Sequence, residues 1–128
     1  MKNLTPAILV CLLMLASCSS DGGCEGNCEN GYGSYSWADS YEGEWKNGQR
    51  NGQGTMNWSD QTQYIGEWKQ DKRSGQGSYI YGEGEWEGDK YVGQWENDLF
   101  NGQGTYTYAD GSIGHSGLWI DGAPAEQL

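Results

Sequence analysis

Few side chains in this sequence could do covalent chemistry. One histidine, His115, and four cysteines, Cys11, Cys18, Cys24 and Cys28, are scattered over 128 residues. Carboxylates are plentiful, with 18 Asp+Glu against 7 Lys+Arg and a formal charge of −11. A glycosidase-like pair would need one carboxyl held protonated by apolar surroundings, and apolar side chains are scarce. A nucleophile elbow, an HExxH helix and a P-loop are all missing from the sequence. The reading is therefore non-enzymatic, and no cofactor is implied. The densest acidic run is Glu83, Glu85, Glu87 and Asp89, alternating with Gly84, Trp86 and Gly88. In a strand over 84–87 these four carboxylates would share one face, a ladder of oxygens suited to a hard cation such as calcium. A charged solvent face that discourages edge-to-edge pairing is the plainer reading and the favoured one.

The cysteines follow from the N-terminal segment. Lys2 precedes an apolar stretch from Leu4 to Ala16, too short to span a bilayer comfortably. A second apolar run of membrane-spanning length does not follow. Leu15-Ala16-Ser17-Cys18 resembles the bacterial lipobox. That resemblance implies cleavage after residue 17 and a diacylglycerol thioether on Cys18, and Ser19 favours the outer membrane of a bacterial envelope. Several acyl chains anchor stably where one does not. Exported cysteines meet an oxidising setting, so Cys24 and Cys28 are expected to pair in a small disulfide loop. A zinc site would lack ligands, and two idle thiols are the remaining alternative.

The chain downstream of residue 17 contains only nine Leu, Ile, Val and Phe residues, against 22 Gly in the whole sequence. With the charge, that scarcity would ordinarily mean disorder. The 7 Trp and 9 Tyr argue the other way, since all lie after residue 30 and disordered chains are poor in aromatics. Acidity opposes binding to a phosphate backbone, which requires clustered Lys and Arg. Nucleic acid is therefore not an expected partner.

Internal repetition decides the architecture. Tyr-x-Gly-x-Trp recurs at Tyr41-Gly43-Trp45, Tyr64-Gly66-Trp68 and Tyr91-Gly93-Trp95, with a degenerate His115-Gly117-Trp119. A second half-pattern follows the first three, as in Asn51-Gly52-Gln53-Gly54-Thr55 and Asn101-Gly102-Gln103-Gly104-Thr105, and an orphan copy begins at Asn30. Period-two alternation puts Tyr41, Gly43 and Trp45 on one face and Glu42 and Glu44 on the other. Glycine weakens a strand unless something approaches closely, and here a ring from the neighbouring strand can lie over it. Strands are expected near 33–37, 41–46, 54–58, 63–69, 77–81, 84–87, 90–96, 104–108 and 114–120. A single strand closes each end of that array.

Segments such as YEGEWKNGQRNGQGTMNWSDQ and YVGQWENDLFNGQGTYTYADGS resemble the MORN (membrane occupation and recognition nexus) repeat. The resemblance implies an all-β fold, an elongated single-layer antiparallel sheet of tandem β-hairpins. Asp71 and Asp98 stand where the first repeat has Gly48, and the second repeat carries an insertion near YGEGEWEG. The expected organisation is a cleaved signal peptide over 1–17, a lipidated linker over 18–29, the repeat domain over 30–122 and a tail over 123–128.

For function, the stripe of Tyr41, Trp45, Tyr64, Trp68, Tyr91, Trp95 and Trp119 is the only available core. It is also a candidate binding surface, because an open sheet leaves a groove. The leading expectation is a lipid-anchored scaffold that meets the membrane through lipid on Cys18 and binds an envelope protein. The alternative is a glycan- or cell-wall-binding module that stacks sugars in the Trp/Tyr groove.

Overall fold

A computed structural model describes residues 23–125. The signal segment, Cys18 and the last three residues lie outside them. The architecture is all-β, ten antiparallel strands in one open sheet whose spatial order follows the chain. They are β1 (Cys24–Gly26), β2 (Asn30–Ser36), β3 (Ser40–Lys46), β4 (Gln49–Asn57), β5 (Gln63–Lys69), β6 (Lys72–Ile80), β7 (Lys90–Glu96), β8 (Leu99–Thr107), β9 (Ile113–Ile120) and β10 (Ala123–Pro124).

Each repeat is a long hairpin. The turns Asn47-Gly48, Gln70-Asp71, Asn97-Asp98 and Asp121-Gly122 all have two successive positive φ angles. That pattern is the type I′ turn, whose twist matches that of paired strands. Asn and Asp tolerate the left-handed region better than other residues with a Cβ, so Asp71 and Asp98 replace glycine without breaking the turn. They also gain contacts: Asp71 Oδ1 accepts from Arg50 N and Nε at 2.8 and 3.0 Å, and Asp98 does the same for Arg73.

The core is a zipper of rings on one face, here called the front. Tyr41, Tyr64 and Tyr91 lie over glycine rungs of their own hairpins, Gly43–Gly54, Gly66–Gly77 and Gly93–Gly104. Their hydroxyls donate to the carbonyls of Glu44, Glu67 and Gln94 at 2.9–3.0 Å. Each Trp reaches back one repeat: Trp45, Trp68, Trp95 and Trp119 donate Nε1–H to the carbonyls of Gly33, Gly54, Gly77 and Gly104. Edge-to-face contacts then join each Tyr to the Trp of the next repeat, at 5.5, 5.3 and 5.4 Å for Tyr41–Trp68, Tyr64–Trp95 and Tyr91–Trp119. Such pairs contribute roughly 0.5–1.5 kcal/mol each beyond area burial. The expected cover of glycine by a ring from the adjacent strand is present at all three hairpins.

Three expectations are corrected. The strand expected near 33–37 does not close the N-terminal end singly: β1, within the loop that the expected Cys24–Cys28 disulfide closes, pairs with β2 through Cys24↔Tyr35 and Gly26↔Gly33. Nor does β9 close the other end, since Ala123 and Pro124 pair with it. Finally, residues 84–87 are no strand but a bend and turn, with Gly84 and Gly88 at φ of 140° and 84°. Gly88 N donating to the Tyr81 carbonyl and Tyr81 N to that of Asp89 close this segment as a loop between β6 and β7.

Candidate functional site

The front face carries the core and recesses at both ends of the array, and a further recess of about 550 Å³ lies against the back-face residues Tyr32, Glu44, Lys46 and Gln53. Tyr41, Tyr64, Trp68, Tyr91, Trp95 and Trp119 are at most 5 % exposed, and Trp45 is half-buried. Six of the seven rings in the expected binding stripe are thus committed to the core and offer a partner almost no area. The accessible aromatic surface belongs to residues outside that stripe: Trp37, Trp86 and Tyr108 at the hairpin-connection end, Tyr35 near the N-terminal cap, and Tyr32 on the back face of β2.

Trp86 is presented by the β6–β7 insertion, and the loop's anchorage explains how. Glu83 N donates to the Asp60 carbonyl and Gly82 N to Thr62 Oγ1 at 3.0 Å, on the preceding connection. Gly82 is required there, because an added Cβ would collide with the backbone of residues 60–62. At the loop's far end the buried Asp89 carboxylate accepts from Tyr106 Oη at 2.6 Å and Ala109 N at 2.9 Å. Trp86 then leans on Tyr81 at 6.0 Å while staying 57 % exposed. A recess of about 520 Å³ lies beside it, lined by Trp86, Tyr106, Tyr108, His115, Trp119 and Pro124 among others. A second, of about 540 Å³, lies at the other end against Tyr35, Trp45, Arg50, Met56 and the disulfide cap.

This geometry removes the carboxylate ladder as a cation site. Once 84–87 turns, Glu83, Glu85 and Glu87 no longer align, and Asp89 is spent on Tyr106 and Ala109. Among the described residues, no group of three or more His, Cys, Asp or Glu side chains is placed to hold a metal. What the loop carries instead is an exposed ring with three exposed carboxylates beside it.

Two features escaped the sequence reading. Arg50 and Arg73 lie over front-face rings, Arg50 4.3 Å from the Trp68 centroid and Arg73 4.6 Å from that of Trp95. Phe100 takes the equivalent place in the third repeat, stacked on Tyr91 at 3.7 Å and 11°. The signal was available: where the second residue of β4 or β6 is Arg, the second residue of the next turn is Asp, and where the second residue of β8 is Phe100, that turn position is Gly122. His115 is the other. In the Tyr position but shorter, its buried Nε2 finds no partner.

Burial pushes the hydroxyls of Tyr41 and Tyr91 up to about 12 from 10, Glu44 adding to the rise at Tyr41 while Arg50 opposes it. Tyr64 is raised by burial, and Tyr106 by burial and then by its bond to Asp89. All four therefore remain neutral donors across ordinary pH.

An open, single-layer sheet with a continuous ring zipper along one face defines a tandem-hairpin repeat array. The MORN repeat family model matches residues 29–40, 41–63, 64–85 and 91–113. These segments make up more than half of the chain, which belongs to the MORN repeat family. The repeat is a non-catalytic type that generally serves interactions with proteins or membranes. A search of curated proteins finds no match to this chain.

Proposed function

We propose that this protein is a non-enzymatic, lipid-anchored scaffold of the bacterial envelope that holds a partner protein against its front face. The observation that carries the reading is Trp86, lifted on a loop hydrogen-bonded at both ends and left exposed among Glu83, Glu85 and Glu87. Large rings are the side chains most often responsible for interface energy. Carboxylates around one steer a basic partner and suppress an acidic one. Cys18, by its resemblance to a lipobox cysteine, supplies the anchor, and the outer membrane is the expected site. Cys18→Ser should move the protein from the membrane fraction to the soluble one.

The test is crosslinking of the anchored protein in its native envelope. Capture of one basic envelope protein, lost on Trp86→Ala with the Trp emission of the core unchanged, is the expected result. Capture indifferent to Trp86→Ala would overturn the assignment. A second reading rests on Trp86 and Tyr108 flanking the same recess, as rings do that stack on sugar faces. Quenching of Trp fluorescence by peptidoglycan fragments would favour that glycan-binding role.

A further inference from the structure

The recess beside Trp86 has a counterpart one repeat earlier, and the two differ in charge. The earlier recess is lined by Arg73, Tyr79, Tyr81, Trp95, Asp98 and Phe100. In the later one the same places of the repeat are taken by Phe100, Tyr106, Tyr108, Trp119, Gly122 and Pro124. In the earlier recess the chain supplies its own cation. The Arg73 guanidinium lies 5.1 Å from the Tyr79 centroid and 4.6 Å from that of Trp95, with the Asp98 carboxylate at 3.0 Å. Arg50 is held in the same way, over Trp68 and against Asp71. In the last repeat Phe100 and Gly122 replace both halves of that ion pair. Gly122 and Pro124 are also smaller than Asp98 and Phe100, and the recess is the larger for it, about 520 Å³ against 270 Å³.

The rings and the negative charge remain. Trp86 and Tyr108 line the recess and are exposed, and Asp89 lines it while only 7 % exposed. The Asp89 oxygens accept from two neutral donors, Tyr106 Oη and Ala109 N. The ion pairs among the described residues are Arg50–Asp71 and Arg73–Asp98, so Asp89 has no cation. A buried carboxylate left in that state is costly, and a well-placed cation relieves the cost. No Lys or Arg lines the recess. The loop that carries Trp86 adds Glu83, Glu85 and Glu87, and the adjoining turns add Asp110 and Asp121. We propose, on the footing of the partner-protein reading above, that this recess receives the guanidinium of an arginine from the partner, laid against Trp86 and Tyr108 and drawn by Asp89. A guanidinium is planar, weakly hydrated and stacks on rings, whereas an ammonium is a compact, strongly hydrated charge. The cation–ring contacts among the described residues are all made by Arg50 and Arg73. A neutral sugar on the same rings would leave the Asp89 charge unpaired.

The probe is acetyl-glycyl-arginyl-glycine amide, with the same peptide carrying citrulline as its uncharged control, titrated into the full chain in a non-ionic detergent. Binding is read from the Trp86 indole N–H resonance, identified by its absence in Trp86→Ala. The arginine peptide is expected to shift that resonance and to bind about tenfold more tightly than the citrulline peptide. Tyr108→Leu should raise its Kd about fivefold. Phe100→Arg combined with Gly122→Asp gives the last repeat a guanidinium and a carboxylate of its own, and the peptide should no longer bind. Retained dispersion of the other Trp indole resonances checks that each variant folds. Equal affinity for the two peptides, no shift with either, indifference to Tyr108→Leu or binding that survives the double variant would overturn the proposal. So would a Trp86 resonance moved by peptidoglycan fragments and by neither peptide, which would give the recess to a glycan. If crosslinking still captures a basic protein through Trp86 while the arginine peptide fails to bind, the scaffold reading stands and the arginine site alone falls.

Discussion

At Gly54 the space above the sheet belongs to the Tyr41 ring, and an added Cβ would fall inside that ring's van der Waals envelope. Gly54→Val should therefore cost about 3 kcal/mol or more, well beyond an ordinary surface change of about 0.5 kcal/mol. Thermal melting checks it, and an unaltered midpoint would contradict the packing. His115 offers the opposite case. Tyr41, Tyr64 and Tyr91 each donate to the carbonyl three residues on, whereas the imidazole stops short and leaves Nε2 buried without a partner. His115→Tyr should restore that bond to the Leu118 carbonyl and stabilise the last repeat by about 1 kcal/mol. The melting temperature would rise by several degrees; a fall would mean that the histidine ring is itself needed against Trp119.

The hairpin turns show how one repeat is tied to the next. Asp71 has a positive φ of 67° and also accepts from Arg50, which in turn lies over the Trp68 ring. The two roles can be separated by substitution. Asp71→Gly keeps the turn and loses the half-exposed ion pair, a loss of at most about 1 kcal/mol. Asp71→Ala loses the pair and adds the left-handed penalty of an ordinary residue, for about 2 kcal/mol in total. Denaturant unfolding of the two variants should rank them in that order, and equal losses would show that the turn geometry is not under this constraint. The alternation of Tyr, Gly and Trp made β3, β5 and β7 and their front face legible in the sequence, whereas the return strands β4, β6 and β8 start five residues before the expected 54–58, 77–81 and 104–108. The Arg–Asp brace was not, because its partners stand 21 and 25 residues apart and meet only when successive hairpins align. The 84–87 segment misled for a related reason: its alternation imitates a strand, but Gly82 and Gly88 let it fold back over the preceding connection.

For the molecule as a whole, the phenols of the core make alkaline pH the natural probe of integrity. The hydroxyls of Tyr41 and Tyr91 are raised to about 12 from an ordinary 10, chiefly by burial. Burial favours the neutral form in the folded state, so this contribution to stability is complete below pH 10. It is lost as the pH rises through about 12. The sheet should unfold cooperatively within that window, with the tyrosinate absorbance appearing together with the loss of the β-sheet circular dichroism signal. Phenols that ionise near pH 10 in an intact sheet would contradict the buried zipper.

The sequence by itself determined the repeat and the identity of the core. Period-two alternation and left-handed turn residues are local properties, and too few aliphatics remain to build anything else. It also carried the resemblance to a lipobox at Cys18 and the close spacing of Cys24 and Cys28. Only the tertiary structure decided which rings stay accessible, since burial depends on the neighbouring repeat rather than on residue type. It alone brought Arg50 to Asp71 and lifted Trp86 onto a braced loop. Those relations run across strands, where pairing register and not sequence distance sets which side chains meet.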